Sequence, residues 1–416
     1  MAHYAVLGAG ITGVTTAYAL QKRGIEVTVY DRNRYPAMET SFANGGQLSA
    51  SNAETWNQWS TVLKGIKWMF TPEAPLSVNP RPTWHKASWM LEFLGAIPKH
   101  RKNTVETVKM AIAARAGMAE MADRAAIDFD FSRAGILHFY QSEKEMQHAR
   151  KMTELYAEGG LSRRELSPEE IREIEPTLTG DMVGGYWTES DSTGDIHRFT
   201  VGLADWLETQ GVTFRLGGEV DTVEQEDGVV RVTAGGEEQR FDGVVVCGGV
   251  GSRAFARQLG DRINVYPVKG YSITVNLRDD ASRAGAPNVS LLDDKAKIVT
   301  SRLGPDRFRV AGTAEFNGIN RDIRADRVKP LTAWVERYFP EVSTESCVPW
   351  AGLRPMMPDM MPRVCPGRKA GVYYNTGHGH LGWTLSAATA EAIGTRIASD
   401  LRTSPAKSPS SVFKTA

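Results

Sequence analysis

Three glycines in G-x-G-x-x-G spacing, Gly8, Gly10 and Gly13, lie near the start of the chain, and a carboxylate, Asp31, follows eighteen residues after the last of them. Those residue types suit a diphosphate. The first glycine permits a tight turn, the second lets a pyrophosphate approach the backbone, and the third lets helix and strand touch. N–H groups at a helix start then face the phosphates. A carboxylate at the tip of the following strand accepts hydrogen bonds from ribose hydroxyls. Two further glycine clusters recur much later, Gly248-Gly249 and Gly377-His378-Gly379-His380-Leu381-Gly382.

Positioning such groups takes a strand, a helix and a second strand. Residues 3–8 are a short apolar run, 14–23 read as a helix ended by Gly24, and 26–30 are β-rich and closed by Asp31. The βαβ unit is therefore complete, although by itself it does not choose between NAD and FAD. A simple NAD domain would continue with βα repeats. Here a Ser/Asn/Gly-rich loop (40–49) leads instead into a Trp-rich, helix-prone stretch to about residue 160, with helical spacing over 103–127. Ser167-Pro168-Glu169-Glu170 reads as a capped helix start. A helix over about 197–210 precedes short β runs, the last of which enters the Gly248-Gly249 turn. Strands near 271–276, 296–302 and 307–312, a helix over 329–338, a strand over 371–376 and a helix over 384–398 complete the reading.

Three strands feeding glycine turns describe one nucleotide-binding layer built from separated segments. The expected fold is α/β with an α+β substrate layer. A Rossmann-type domain takes 1–50, 185–260 and 346–403, an inserted β-rich substrate domain plus helices takes 51–184 and 261–345, and 404–416 is a flexible tail.

Composition narrows the function class. Lys+Arg and Asp+Glu each total 49, which argues against a nucleic-acid protein. The three cysteines, Cys247, Cys347 and Cys365, form no CxxC pair, so a reduced cytosolic protein without a disulfide frame or metal site is expected. Residues 4–20 are apolar but lack a basic n-region and carry three glycines, unlike a signal peptide or a bilayer span. The stretches 63–70 and 84–94 mix aromatics with lysines. They read as an ordinary lid or core helix, or as an interfacial surface at the inner face of the cell membrane where a quinone is met.

Several segments resemble the D-amino acid oxidase superfamily of FAD-dependent oxidoreductases, especially its bacterial D-amino acid dehydrogenase branch. They include residues 8–13 with Asp31, Glu39-Thr-Ser-Phe-Ala-Asn-Gly-Gly-Gln-Leu-Ser49, Ile66-Lys-Trp-Met-Phe70 and Thr193-Gly-Asp195. Tyr266-Pro-Val-Lys-Gly-Tyr271, Gly352-Leu-Arg-Pro-Met356 and Asn375-Thr-Gly-His-Gly-His-Leu-Gly-Trp-Thr384 are the more specific pieces. His380 departs from that branch, where a small residue is usual.

The resemblance implies an extended FAD. Its pyrophosphate would lie at Gly8, Ala9, Gly10, Ile11, Thr12 and Gly13, its ribose at Asp31 with Arg32 beside it, and its adenine near Val220. Ser41, Ala43, Asn44, Gly45, Gly46, Gln47 and Leu48 would pass along the isoalloxazine and ribityl chain. Gly248 and Gly249 would approach the nucleotide, and residues 377–382 would hold negative charge on the reduced ring. For the substrate, Arg354 is the expected carboxylate anchor, because a guanidinium forks onto a carboxylate. Tyr271 would hydrogen-bond the same carboxylate, and His380 would line the site. The implied activity is dehydrogenation of a D-amino acid, including cyclic ones such as D-proline or D-hydroxyproline, with electrons passed to a quinone or other acceptor. A glycine- or sarcosine-type oxidase and a flavin-carrying electron-transfer subunit stay open as alternatives. Association into oligomers is also left open.

Overall fold

The computed structural model describes residues 1–68 and 74–403. The expected tail and Met69-Phe70 lie outside them. The strand β1 (His3–Leu7), the helix α1 (Ile11–Gln21) and the strand β2 (Glu26–Asp31) open the chain. Their apolar runs are buried because a parallel sheet is covered on both faces.

Six strands form that sheet, in the order Arg363–Pro366, Val372–Thr376, Gly243–Val246, β1, β2, Thr213–Leu216. β1 runs parallel to β2 and to Gly243–Val246, which in turn runs parallel to Val372–Thr376. The three strands that feed glycine turns are thus immediate neighbours, and their carboxyl ends sit side by side. That edge is where open α/β sheets bind ligands. On one face α1 and the helices Ile196–Thr209 and Gly382–Thr403 bury Val6, Val14, Phe199, Leu203 and Ile393. The other face buries Leu7, Val232, Val244 and Val246 beneath a three-stranded sheet, Val220–Glu226, Val229–Ala234 and Glu237–Phe241.

A nine-stranded sheet forms the second layer, with Val348–Met356, Tyr266–Asn276, Arg307–Phe316 and Ile298–Leu303 adjacent in that order. The helix Ala325–Tyr338 packs against it over Ile273, Phe308, Val310 and Val335. Here the segment boundaries read from sequence shift. Val348–Met356 pairs antiparallel with Tyr266–Asn276 rather than joining the nucleotide-binding sheet. Gly184–Thr188 likewise pairs with Ile136–Tyr140 and Arg164–Leu166. Strand partnership is a non-local property, and proximity in the chain to Val372–Thr376 did not reveal it. Local signals served better. At Ser167 the Oγ accepts from the Glu170 N–H at 3.3 Å while the Glu170 carboxylate accepts from the Ser167 N–H at 2.8 Å, a complete capping box.

Candidate active site

Gly8 has φ +115°, and a Cβ there would lie 2.7 Å from the Cys247 carbonyl oxygen. A Cβ on Gly13 would fall 1.7 Å from the Gly8 carbonyl oxygen, so helix and strand meet with no side chain between them. Gly10 differs. Its φ of −77° is ordinary, and among the described residues beyond its own helix only Ser41 Oγ lies within 4 Å of its Cβ position, at 3.4 Å. The missing side chain at Gly10 therefore leaves open space at the start of α1. The Ile11 N–H donates to Ser41 Oγ at 3.0 Å, and the first intrahelical bond runs from Val14 N–H to Gly10 C=O. The intervening N–H groups have no acceptor within the helix. Asp31 accepts from the Ala9 N–H through Oδ2 and from the Asn33 N–H through Oδ1, both at 2.8 Å, which fixes its carboxylate beside the turn. This cradle fits a dinucleotide.

A cavity of about 1010 Å³ extends from it. Asp31, Arg32, Val220, Gly248, Gly249, Ser41, residues 43–47 and residues 377–382 all line this one space. Ala9, Gly13 and Leu48 do not. The first two are buried in the turn behind it, and Leu48 packs towards the α1 core. The 41–48 loop is clamped to the large sheet through its carbonyls. Ser272 Oγ donates to Ala43 at 2.7 Å, Ser301 Oγ to Gly45 at 2.6 Å and Arg309 Nη1 to Asn44 at 3.2 Å. A loop held this way presents a rigid backbone edge to whatever lies in the cavity.

Arg354 enters the same space from Val348–Met356. Its guanidinium lies flat over Gly270, whose Cβ would sit 2.3 Å from it. Nη1 donates to the Thr313 carbonyl at 2.8 Å and Nη2 towards that of Gly312 at 3.4 Å. Thr313 has φ +57°, a genuine outlier for a β-branched residue, where the pairing of Tyr266–Asn276 with Arg307–Phe316 shifts register. The bulge aims the carbonyl that orients Arg354. Burial pulls the Arg354 pKa down to about 10, and among the described residues no carboxylate offsets it. The site thus holds a preoriented cation in want of an anion.

Tyr271 corrects the sequence reading. It lines the cavity, but its hydroxyl donates to Glu315 at 2.8 Å, and Glu315 also pairs with the fully buried Lys269 at 3.2 Å. Burial, with Glu315 adding to it, raises the phenol's pKa further. The hydroxyl proton is committed to structure, not to a ligand carboxylate.

The two histidines part company. The His378 ring turns inward to Thr389 Oγ1 at 3.0 Å, and burial lowers its pKa to about 3. His380 stacks on Trp56 at 5.0 Å, and its Nε2 donates to the Asn52 carbonyl at 3.2 Å. Since a carbonyl only accepts, Nε2 carries the proton. Burial brings the His380 pKa to about 4, so its ring is a neutral wall.

Sequence reasoning missed a polar set lining the same cavity. Lys297 pairs with Asp294, and Glu54 faces His148 at 3.5 Å; His100, 3.6 Å from Glu54, supports the set without lining the cavity. Burial opposes the Glu54 charge, but hydrogen bonds from His100 and His148 outweigh it and hold the carboxyl pKa low. Burial would likewise lower the Lys297 pKa, and Asp294 more than restores it. Their spacing in sequence carries no motif. The Trp-rich character around Trp56 was the only flag in this region.

A family model described as FAD dependent oxidoreductase matches residues 3–396. The chain is 58% identical over 399 residues to D-amino acid dehydrogenase 3 of Mesorhizobium japonicum, covering 95% of this chain and 97% of the relative. It is 38% identical to a D-amino acid dehydrogenase of Paramagnetospirillum magneticum, covering 95% and 94%. Among solved structures, glycine oxidase from Bacillus cereus superposes with a TM-score of 0.71 at 19% identity, covering 95% of each chain. L-proline dehydrogenase from P. horikoshii does so at 0.74 and 16%, covering 95% of this chain and 93% of that one. These two likenesses concern the fold. With the cradle at its N-terminus intact and the match running almost end to end, the chain belongs to the FAD-dependent oxidoreductase family.

Proposed function

We propose that this chain is a dehydrogenase of D-amino acids, including cyclic ones such as D-proline or D-hydroxyproline, that anchors the substrate carboxylate on Arg354. The observation that carries the reading is the desolvated guanidinium of Arg354, held by two backbone carbonyls and facing the cavity without a counter-charge among the described residues. Burying an unpaired cation is costly, and a substrate carboxylate supplies the missing partner. The names of the relatives support the D-amino acid. An electron-relay subunit without its own substrate would have no use for such an anchor.

When bound, the flavin supplies the redox chemistry by accepting a hydride at N5. The protein's share is placement. Arg354 fixes the carboxylate, the clamped 41–48 loop sets the ring's position, and the Trp56–His380 stack closes one wall. The start of Gly382–Thr403 turns its N–H groups towards the 377–382 loop, where they favour negative charge. With His378 and His380 held neutral, proton traffic is left to the substrate amine and water. In this reading residues 1–50 and the sheet around β1 carry the nucleotide, and the nine-stranded sheet carries the substrate.

For the acceptor we favour a quinone met at a membrane surface. The helix Trp59–Trp68 has no buried residue, and Trp59, Leu63 and Ile66, at i, i+4 and i+7, are 63%, 66% and 53% exposed. Trp84 and Leu91 of Trp84–Gly95 add 80% and 64%. Exposed apolar side chains flanked by Lys64 and Lys86 suit an anionic lipid interface, and Lys64 and Ile66 also line the cavity. No described helix is long and apolar enough to cross a membrane.

The test is anaerobic flavin bleaching of the purified chain over D- and L-amino acids and imino acids. Bleaching by D-amino acids supports the proposal, and bleaching by none would end it. Rapid peroxide formation in air, with glycine or sarcosine as the preferred substrate, would favour an oxidase.

A further inference from the structure

We propose that Lys297 and Asp294 form a second recognition pole in the substrate cavity, one that takes a neutral hydrogen-bonding group, a hydroxyl or carboxamide, on the substrate's side chain or ring. The inference rests on the reading of Arg354 as the carboxylate anchor and names the substrate class that this site prefers.

The backbone comes first. Lys297 has φ +54°, at the end of the turn between Ser290–Asp293 and Ile298–Leu303. Glycine would adopt that conformation freely, so a lysine is held there against a local cost. The ladder pairs Val299 with Ala311, and following it back towards the turn brings Lys297 alongside Gly312 and Thr313. The Lys297 carbonyl lies 3.1 Å from the Cβ position of Gly312. Gly312 and Thr313 are the residues whose carbonyls hold Arg354. Two non-glycine left-handed residues therefore sit beside each other, one orienting the carboxylate anchor and the other carrying Lys297 into the same cavity. His380 feels the charge of both Arg354 and Lys297, so both cations lie within electrostatic reach of its ring.

Accessibility then decides what kind of group fits. Lys297 and Asp294 keep 45% and 26% of their side-chain surface open, and His148 and Glu54 keep 43% and 23%. All four line the cavity. These four reachable charges come as two opposite pairs, with Lys64 of the exposed helix Trp59–Trp68 acting on His148 from outside them. Arg163 also lines the cavity, but its Nε and Nη2 are buried, its Nη1 donates to Thr153 Oγ1 at 3.4 Å, and it stacks 4.8 Å from the centre of the Tyr186 ring. A carboxylate entering this pole meets Asp294 and Glu54, and an ammonium meets Lys297 and His148. A hydroxyl accepts from the Lys297 ammonium, which has donors beyond the one given to Asp294, and donates to the Asp294 carboxylate. The neutral polar group is the one that both halves of the pair welcome.

The experiment compares matched substrates that differ by one hydroxyl, D-serine with D-alanine and 4-hydroxy-D-proline with D-proline, in the anaerobic reductive half-reaction of the FAD-loaded chain. The wild type should favour the hydroxylated partner by about tenfold or more in kred/Kd, the ratio that one hydrogen bond to a charged group supports. Both Lys297→Met and Lys297→Gly should bring that ratio close to one. Lys297→Gly relieves the left-handed strain and should melt no lower than the parent, which separates lost recognition from lost folding. A ratio unchanged in both variants overturns the proposal, as does a wild type indifferent to the hydroxyl. Preference for D-aspartate, lost in Lys297→Met, would assign the pole to an anion and overturn the neutral class. If no amino acid in the panel bleaches the flavin, the D-amino acid reading itself falls. If D-alanine and D-proline bleach it as well as their hydroxylated partners, only the pole falls.

Discussion

Replacing Arg354 with methionine tests the anchor most directly. The change keeps length and apolar bulk over Gly270 and removes the charge. Truncating one side of a buried charge pair costs about 2–5 kcal/mol of binding, which at 1.4 kcal/mol per decade weakens the amino acid roughly 30- to 4000-fold. Stability should move far less, because two terms oppose each other. The Thr313 and Gly312 carbonyls lose their donors, at about 1–3 kcal/mol each. The burial that pulls the pKa to about 10 imposes a penalty on the cation of about 3 kcal/mol, and this disappears with it. The melting temperature should stay within several degrees of the parent, with bound flavin intact. Stopped-flow reduction at varied substrate separates Kd from the limiting rate, and the loss should fall mainly on Kd. A simple carboxylate lacking an amine, such as propionate, adds a pH signature. It should bind the wild type through the protonated guanidinium, weaken as pH rises through about 10, and show no such dependence in Arg354→Met. Arg354→Lys keeps the charge without the fork and should fall between the two. An unchanged Kd for the amino acid in Arg354→Met would refute the reasoning, whatever happened to the rate.

The nucleotide cradle makes two different demands on its glycines. Gly10→Val should fold and purify colourless, since its φ is ordinary and its Cβ opens on the cavity. Gly13→Ala should fail to accumulate folded protein, because its Cβ would lie 1.7 Å from the Gly8 carbonyl oxygen; absorbance at 450 nm and melting curves distinguish the two. His378, 3% exposed, has a folded pKa of about 3 against 6.5 unfolded, so the unfolded state takes up the proton first as pH falls. Its contribution is whole above pH 6.5 and smaller by about 2 kcal/mol at pH 5. His378→Asn should accordingly flatten the stability–pH curve between pH 6.5 and 4, and an unaltered slope would contradict the assignment. Trp59→Ser with Leu63→Glu should abolish co-sedimentation with anionic vesicles while flavin content is kept, and equal sedimentation of the double variant would remove the membrane reading.

The parts of this site that were legible in the sequence are those whose physics is local. A glycine that must carry φ +115°, a helix that must start beside it and an acid that must close the next strand all fall within the first 31 residues, and the chain order spells them out. The later glycine turns were legible for the same reason, and the sheet order then brought their strands together. What stayed hidden depends on partners far away or on parity. Trp56 stacks on His380 across more than 300 residues, and neither residue's type announces the other. Residues 346–403 read together as part of the nucleotide-binding domain, yet the hydrogen bonds of Val348–Met356 go to Tyr266–Asn276. Tyr271 was read into the substrate's carboxylate because the K-G-Y segment promised a tyrosine at the pocket. A strand residue's face follows its parity, however: Tyr271 lies on the same face as Lys269, and both reach Glu315 where Arg307–Phe316 carries the extra residue of the register shift. The same bulge carries Thr313 into the left-handed region and turns its carbonyl onto Arg354. One irregularity thus sets Glu315 against the phenol and orients the guanidinium towards the cavity, so the proposed carboxylate anchor is a product of sheet geometry rather than of the motif that flagged it.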